Sequence, residues 1–332
     1  IFSKNLGIWI SDKKSQKLNW KELNVSCTSH GYNIVKLDIE KPFEEQGDIN
    51  IFLHKLTDVI ASADQGEEKV SSKTSIIINC IEQYLSNHPN VLVIDPLDNV
   101  RILLNRFNYY SILKEESSLR KIGIYTPTFA EFKNNNINEN YDIMRENGVT
   151  FPVICKPTVA HGSKLAHEMV VIFNKRGLSV CKPPCVVQSF VNHNAVLHKV
   201  FVVGNSTGEV CKADSQSTLS ILDPQDMADR NMCLNEDKIK SIIQILQRRI
   251  GLVLYGFDVV IDNVTGNHAV IDINVFPSYD NFPNFFEHLL ECIEEMECTE
   301  NCNGVTEVCS RNRLINVSSS SNKYGVVGMN IN

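Results

Sequence analysis

Apolar positions along this chain recur in two rhythms, every second residue or every third to fourth, and the changes of rhythm outline its elements. Short apolar runs at Leu6–Ile10, Ile34–Ile39, Ile49–His54 and Val91–Ile94 have strand length. Between them, Trp20–His30 and Val70–Asn87 carry apolar residues at helical spacing, and Gly31 closes the first. Strand–helix alternation of this kind predicts a parallel sheet covered by helices. Asp95-Pro96 ends the unit, because proline disfavours helix at the residue before it. A helix is expected over Arg101–Lys121, with apolar positions at Ile102, Leu103, Phe107, Tyr110 and Leu113. The polar stretch Lys133–Asn140 reads as a surface loop. Strands follow at Val153–Cys155, Met169–Phe173, Val186–Phe190 and Ala195–Val203, with Pro183-Pro184 as a stiff connector. Residues 205–235 are polar and weakly patterned. Asn235 then caps a helix over Glu236–Ile250 that Gly251 stops. A second helix is expected over Asn284–Glu297, capped by Asn284. Past residue 299 the pattern dissolves into Cys, Ser and Asn, and a disordered tail is expected. The division is an N-terminal α/β domain over 1–95, a central unit over 96–191, a C-terminal unit over 192–298 and the tail over 299–332.

The segment 254–275 carries the sharpest chemistry. Two apolar, β-branched runs flank the turn-rich Asp262-Asn263-Val264-Thr265-Gly266-Asn267, which is a hairpin signature. A turn centred near residues 264–265 brings Asp258 nearly opposite Asp272. Asp272 and Asn274 are two apart and share a strand face. Cross-strand neighbours sit about 5 Å apart, and two carboxylates that close repel unless a proton or cation lies between them. A trio of Asp, Asp and Asn offers only oxygen, which suits Mg²⁺. The plainer reading leaves one Asp solvated at the hairpin mouth.

Composition narrows the class. The 332 residues are 43% hydrophobic and 21% charged, ordinary for a globular chain of two or three packed units. Lys+Arg 32 against Asp+Glu 39 leaves a net charge of −7, which argues against a general nucleic-acid binder and leaves room for a small polyanion. Eleven cysteines lack framework spacing, and Cys80, Cys155 and Cys233 sit in or beside apolar runs, so they read as thiols in a reducing, cytoplasmic setting. No apolar run approaches the ~20 residues that span a bilayer. A G-x-x-x-x-G-K-[ST] loop and a G-x-G-x-x-G fingerprint are both absent.

Basic residues recur where strands end. Lys156 closes Phe151-Pro-Val-Ile-Cys and is followed by Ala160-His161-Gly162-Ser163, where an ammonium and glycine-freed backbone N–H groups suit phosphate. Lys55 follows one strand and Lys13 and Lys14 another, and carboxyl ends of parallel strands face the ligand crevice. Lys199 lies mid-strand among Val200, Phe201, Val202 and Val203, so it either snorkels from an edge or points into a cleft. A connector such as Gln188–Val191 can offer backbone groups to a flat base. Any one of these lysines alone reads equally as a solvated strand end.

Taken in order, these pieces resemble the inositol 1,3,4-trisphosphate 5/6-kinase (inositol-tetrakisphosphate 1-kinase) family of the ATP-grasp superfamily. The matching strings run from about residue 6 to 295: Glu44-Glu-Gln-Gly47, His54-Lys-Leu-Thr-Asp-Val-Ile60, Asp95-Pro-Leu97 with Arg101, Ala160-His-Gly162 with His167-Glu-Met169, the 186–204 segment, and 269–277. The resemblance implies an α/β, ATP-grasp fold: an N-terminal parallel-sheet domain and two subdomains clamping ATP between antiparallel sheets. It implies adenine against Gln188, Ser189, Phe190 and Val191, with Arg101, Lys156 and Lys212 toward the ATP phosphates and Asp258, Asp272 and Asn274 on Mg²⁺. Lys14, Lys55, His161, Gly162, His167, Lys199, Asn274 and Ser278 would surround the inositol phosphate. Lys199 and His161 would stabilise charge on the transferred group. The implied enzyme is a cytoplasmic monomer that phosphorylates inositol 1,3,4-trisphosphate and inositol 3,4,5,6-tetrakisphosphate, without nucleic-acid or membrane partners.

The chain departs from that pattern in places. Lys212-Ala213-Asp214 stands where the family has Arg-Pro-Ser, and lysine lacks arginine's bidentate fork. The 213–235 segment is short, and Ser278 replaces a glycine after Phe276-Pro277. These changes define a second reading, a homologue that binds inositol phosphate or nucleotide without turnover. A third, an ATP-grasp ligase, shares the acidic trio but not the basic cluster facing the second substrate.

Overall fold

The computed structural model describes residues 4–64, 68–160, 168–193, 196–204, 207–214, 233–279, 282–303 and 328–329. The N-terminal region runs β1 (Lys4–Trp9), α1 (Asp12–Ser15), α2 (Trp20–Ser29), β2 (Tyr32–Lys36), β3 (Ile51–His54), α3 (Thr57–Asp64), α4 (Glu68–Asn87) and β4 (Leu92–Ile94). Its four strands are all parallel, in the order β2-β1-β3-β4. Every residue of β3 is buried, as expected of a strand covered on both faces. Asn19 caps α2 by accepting from the Glu22 amide, and Gly31 (φ +78°) lets the chain turn into β2.

The expected Arg101–Lys121 helix is three: α5 (Leu97–Leu104), α6 (Arg106–Glu115) and α7 (Ser117–Lys121). Asn105 breaks the run. Its backbone is extended and its side chain caps α6 by accepting from the Asn108 amide. The expected 133–140 loop is also half helix. Asn136 accepts from the amides of Asn138 and Glu139 and so starts α8 (Ile137–Glu146), a local bond that polar composition alone hides.

The central sheet is antiparallel, in the order β6-β9-β7-β8, built from β6 (Phe129–Phe132), β7 (Val153–Pro157), β8 (Val170–Ile172) and β9 (Cys185–Ser189). It has its own core of Phe132, Met144, Val149, Val153, Ile172, Leu178 and Val187 together with Cys155, Cys181 and Cys185.

The third sheet has the order β14-β11-β10-β12-β13-β5. Its strands are β5 (Ile124–Tyr125), β10 (Val196–Val203), β11 (Thr207–Asp214), β12 (Leu254–Ile261), β13 (His268–Val275) and β14 (Gly328–Met329). β11 lies in the stretch whose sequence is weakly patterned. The helix α9 (Glu236–Ile250) keeps its expected ends: Asn235 accepts from the Lys238 amide and Gly251 is left-handed. The last helix, α10 (Phe285–Asn303), starts one residue after Asn284, whose own φ of +51° makes it a left-handed residue. Most of the expected tail lies outside the described residues. Among those described, no helix is long and apolar enough to cross a membrane.

The N-terminal sheet and the third sheet share one hydrophobic core, reaching from Leu6 and Phe52 to Phe257 and Leu289. Polar links reinforce it. The buried Asp95 carboxylate accepts from the amides of Val253 (2.6 Å) and Leu254 (2.9 Å), while its backbone carbonyl accepts from His54 Nε2 (2.7 Å). On α10, Glu287 and Glu294 hold His30, and Glu297 holds Lys4 and Tyr32.

Candidate active site

The β12–β13 hairpin brings its carboxylates together through an irregularity. Val259 pairs with Val270, but Asp258 pairs with Asp272, so Ile271 is the extra residue of a β-bulge. The bulge leaves the Ile271 carbonyl free of the ladder. Lys156 Nζ donates to it at 2.6 Å and Tyr110 Oη at 2.6 Å. One irregular residue thus aligns the acidic pair and ties the third sheet to β7 and α6.

A row crosses three strands here. Lys199 on β10 is paired with Asp258, and Asp258 with Asp272. In the next row on the same face, Phe201 pairs with Gly256 and Gly256 with Asn274. Burial is the main reason that the Asp258 carboxyl is pushed up to about 6. The neighbouring Asp272 pushes the same way, and Lys199 and Lys156 oppose. Asp272 accepts from Tyr109 Oη through Oδ1 and lies 3.5 Å from the Nε of buried Arg106. Asp258, Asp272 and Asn274 form an oxygen-only set with two adjacent acids, which fits a hard divalent cation.

Facing them, Lys156 is almost fully buried and also donates to Tyr110 Oη (2.9 Å) and Gln188 Oε1 (3.2 Å). The Nε of Arg106 and the Nε2 of Gln188 are buried without a hydrogen-bond partner among the described residues. Unused donors beside a paired lysine are what a bound anion would satisfy.

The expected residues divide. Lys156, Gln188, Asp272, Asp258 and Lys199 meet around the Ile271 bulge. Asn274 sits one row further on, and Lys55 reaches over it from β3, its Nζ 3.5 Å from the Pro277 carbonyl and 4.9 Å from the Phe276 ring centre. Lys14 is drawn to Asp58 at 2.6 Å. In the connector, the Ser189 and Phe190 amides donate to Thr128 and Pro152, and Val191 packs with Leu197, Val260 and Ile271 in a small apolar cluster. Ser278 has no left-handed backbone, although Phe276 (φ +40°) and Tyr279 (φ +53°) bracket it, so serine fits there without a conformational penalty.

Arg101 is placed otherwise, and for Lys212 the strand register alone is described. Arg101 turns toward α3 and α4, where it meets Asp64 (4.0 Å) and Glu82 (2.6 Å), and it also pairs with Asp98 (2.8 Å) on its own helix. Lys212 pairs with His198, one position out of step with Lys199, which pairs with Cys211. His161, Gly162 and His167 lie outside the described residues. Sequence reasoning missed Arg106, which donates to the Pro157 carbonyl at 2.8 Å. Its signal was Asn105 as an N-cap, the break that sets Arg106 at the head of α6 beside β7.

With this geometry in view, the comparisons are decisive. The profile of the inositol 1,3,4-trisphosphate 5/6-kinase pre-ATP-grasp domain matches residues 5–100, and that of the ATP-grasp domain matches 119–225 and 206–295. The chain belongs to the inositol 1,3,4-trisphosphate 5/6-kinase family. It is 36% identical to an inositol-tetrakisphosphate 1-kinase of Danio rerio, over 99% of this chain and 87% of that one. It is 37% identical to the Xenopus laevis enzyme of the same name, over 87% and 78%. Among solved structures, a Chryseobacterium gregarium RiPP-associated ATP-grasp ligase in complex with ADP, and a leader and core peptide, superposes with a TM-score of 0.59 at 15% identity, covering 90% of this chain and 97% of that one. D-cycloserine synthetase DcsG gives 0.58 at 13%, covering 88% and 99%. At these identities the likeness shows the fold alone, and that fold is ATP-grasp.

Proposed function

We infer that the protein is an ATP-dependent inositol polyphosphate kinase. In this reading the terminal phosphoryl group passes to a ring hydroxyl of inositol 1,3,4-trisphosphate (5- or 6-position) or of inositol 3,4,5,6-tetrakisphosphate (1-position). The observation that carries it is the row Lys199–Asp258–Asp272 set against Lys156 and Arg106. An acidic pair beside two buried cations suits a metal–nucleotide, and lysines such as Lys55 and Lys199 around it suit a polyanionic acceptor.

Transfer is in line. The bond from phosphorus to the ADP oxygen breaks as that to the ring oxygen forms, and the hydroxyl proton is released. Lys156 and Arg106 hold nucleotide phosphates. Lys199 stabilises charge on the moving group, and Lys55 and Lys14 orient the acceptor. Asp258, Asp272 and Asn274 would hold Mg²⁺, which would supply neutralisation of phosphate charge. Arg106 takes the phosphate role that the resemblance gave to Arg101, because Arg101 is neutralised by Glu82 and Asp98. The protein is read as a cytoplasmic monomer.

Incubation of the purified protein with γ-labelled ATP, Mg²⁺ and each inositol phosphate tests the reading. Label in the inositol product supports it. Binding of either ligand by calorimetry with no transfer would establish the non-catalytic alternative instead.

A further inference from the structure

The central sheet carries a feature that the kinase reading does not use. The sulfurs of Cys155, Cys181 and Cys185 all lie within 4.8 Å of one another, and all three residues are buried. They come from separate elements. Cys155 is on β7 and Cys185 on β9, while Cys181 ends the short 3₁₀ turn Lys175–Val180. Their sequence pattern, Cys181-Lys-Pro-Pro-Cys185 with a distant Cys155, is not a C-x-x-C pair, which is why spacing alone does not reveal it.

We propose that Cys155, Cys181 and Cys185 form a binding site for a thiophilic d¹⁰ cation of the Zn²⁺ class. Three sulfurs about 2.3 Å from one ion lie about 4 Å apart, compatible with the spacing found. Soft sulfur-only donor sets select such ions over Mg²⁺. The surrounding shell is apolar, made by Phe132, Val153, Ile172, Leu178 and Val187, and it limits water access.

A disulfide between Cys155 and Cys185 fits the ladder less well. Pro157, not Cys155, is the register partner of Cys185, so the two cysteines are diagonal across the strands. Diagonal neighbours are about 7–8 Å apart, beyond the 4.4–6.8 Å that a disulfide usually spans between Cα atoms. An ion between them needs no such approach. The site would clamp β7 to β9 one residue from Lys156 and three from Gln188, so an occupied site would stiffen the strands that carry both. It stands whether or not the protein phosphorylates inositol phosphates.

The test is an anaerobic titration of the reduced, chelator-treated full chain with Co²⁺, then displacement by Zn²⁺. The expected result is one equivalent bound, a sulfur-to-cobalt charge-transfer band, and a rise in Tm with Zn²⁺. Cys181→Ser should lose the band and weaken Zn²⁺ binding by more than about tenfold, with its far-ultraviolet circular dichroism unchanged. Cys155→Ala provides a second variant should the first misfold. Replacing exposed Cys80, Cys233 and Cys298 with serine should leave both signals intact. A band that survives Cys181→Ser and Cys155→Ala, or is absent from the wild type, overturns the proposal. So does an intramolecular disulfide among these cysteines, found by mass after mild oxidation of a protein that gives no cobalt band.

Discussion

The two walls of the cleft handle charge in opposite ways. On β7 and α6, Lys156 is met by Tyr110, Gln188 and the Ile271 carbonyl, and Arg106 by the Pro157 carbonyl and Asp272. This basic wall is largely satisfied, with the Arg106 Nε and Gln188 Nε2 left as its unpartnered donors among the described residues. On β12 and β13, Asp258 faces Asp272 across the ladder, and burial first, then the neighbouring carboxylate, pushes its carboxyl up. The acidic wall is completed by a cation, the basic wall only redirected by an anion. Ligand-dependent stabilisation should therefore come mainly from the acidic side.

The largest effect should follow removal of one acidic charge. Asp272→Asn keeps an acceptor for Tyr109, whereas alanine would strand the buried Arg106. We expect kcat/KM for phosphoryl transfer to fall by about 10³-fold with the fold intact, since a lost transition-state electrostatic contact costs about 10²–10³. Near wild-type turnover would show that the pair does not hold the metal. Asp258→Asn should abolish turnover similarly. It should also raise the stability of the metal-free protein by roughly 2 kcal/mol at pH 8, read by urea denaturation, because it removes a carboxylate held charged against its burial.

On the basic wall the sharper comparison is between two arginines. Arg106→Ala and Lys156→Ala should each raise KM for ATP and lower kcat/KM by about 10²-fold. Arg101→Ala should change either parameter less than twofold, because that guanidinium is spent on Glu82 and Asp98. Equal losses at 101 and 106 would restore the role for Arg101 that the resemblance suggested.

That contrast also shows what the chain discloses. The hairpin was legible because its turn residues and β-branched runs set Asp258 nearly opposite Asp272, one residue short of the direct pairing that the Ile271 bulge provides. Lys156 was legible as a charge ending an apolar run. Arg106 was not, because Ile102, Leu103, Phe107 and Tyr110 keep helical spacing straight through Asn105. A side-chain cap there outweighs the continuous pattern. The Ile271 bulge was also hidden, since strand periodicity does not register one extra residue whose carbonyl is used by another element. The three clustered cysteines depend on the order of the central sheet, which no local pattern encodes.

Beyond the cleft, Asp95 joins the N-terminal sheet to β12, and burial pushes its carboxyl up to about 7. Asp95→Ala would leave the Val253 and Leu254 amides buried and unpaired. It should destabilise the fold by about 3 kcal/mol, measured as a shift in the urea midpoint at constant m-value. Loss below 1 kcal/mol would mean that water reaches those amides.

A milder perturbation is pH. Burial first, then Asp272, pushes the Asp258 carboxyl up from the ordinary 3.8 to about 6, so the folded protein holds the extra proton between those values. The metal-free protein should therefore gain stability from this group as pH falls through 6. Affinity for the divalent ion should fall over the same interval, by about tenfold per unit once Asp258 is protonated. Mn²⁺ binding followed by electron paramagnetic resonance from pH 8 to 5 measures this. An affinity flat across that range would separate Asp258 from the metal.

The smallest effect tests the outer seam, where α2 meets α10. His30 Nε2 lies 3.0 Å from Glu287 and Nδ1 2.8 Å from Glu294, and these bonds, the Glu287 one first, raise its pKa above 6.5. A base raised in the fold contributes its stability below its unfolded pKa and loses it as pH climbs through the folded value. Both carboxylates are nearly half exposed, so solvent screens the pairs and the total is about 0.5–1 kcal/mol. His30→Ala should thus lower Tm slightly at pH 6 and leave it unchanged at pH 9. Turnover should be unaffected at either pH, because the seam is set apart from the charged rows of the cleft. A large turnover loss in this variant would mean that the α2–α10 seam, and not only the two walls, sets the geometry of transfer.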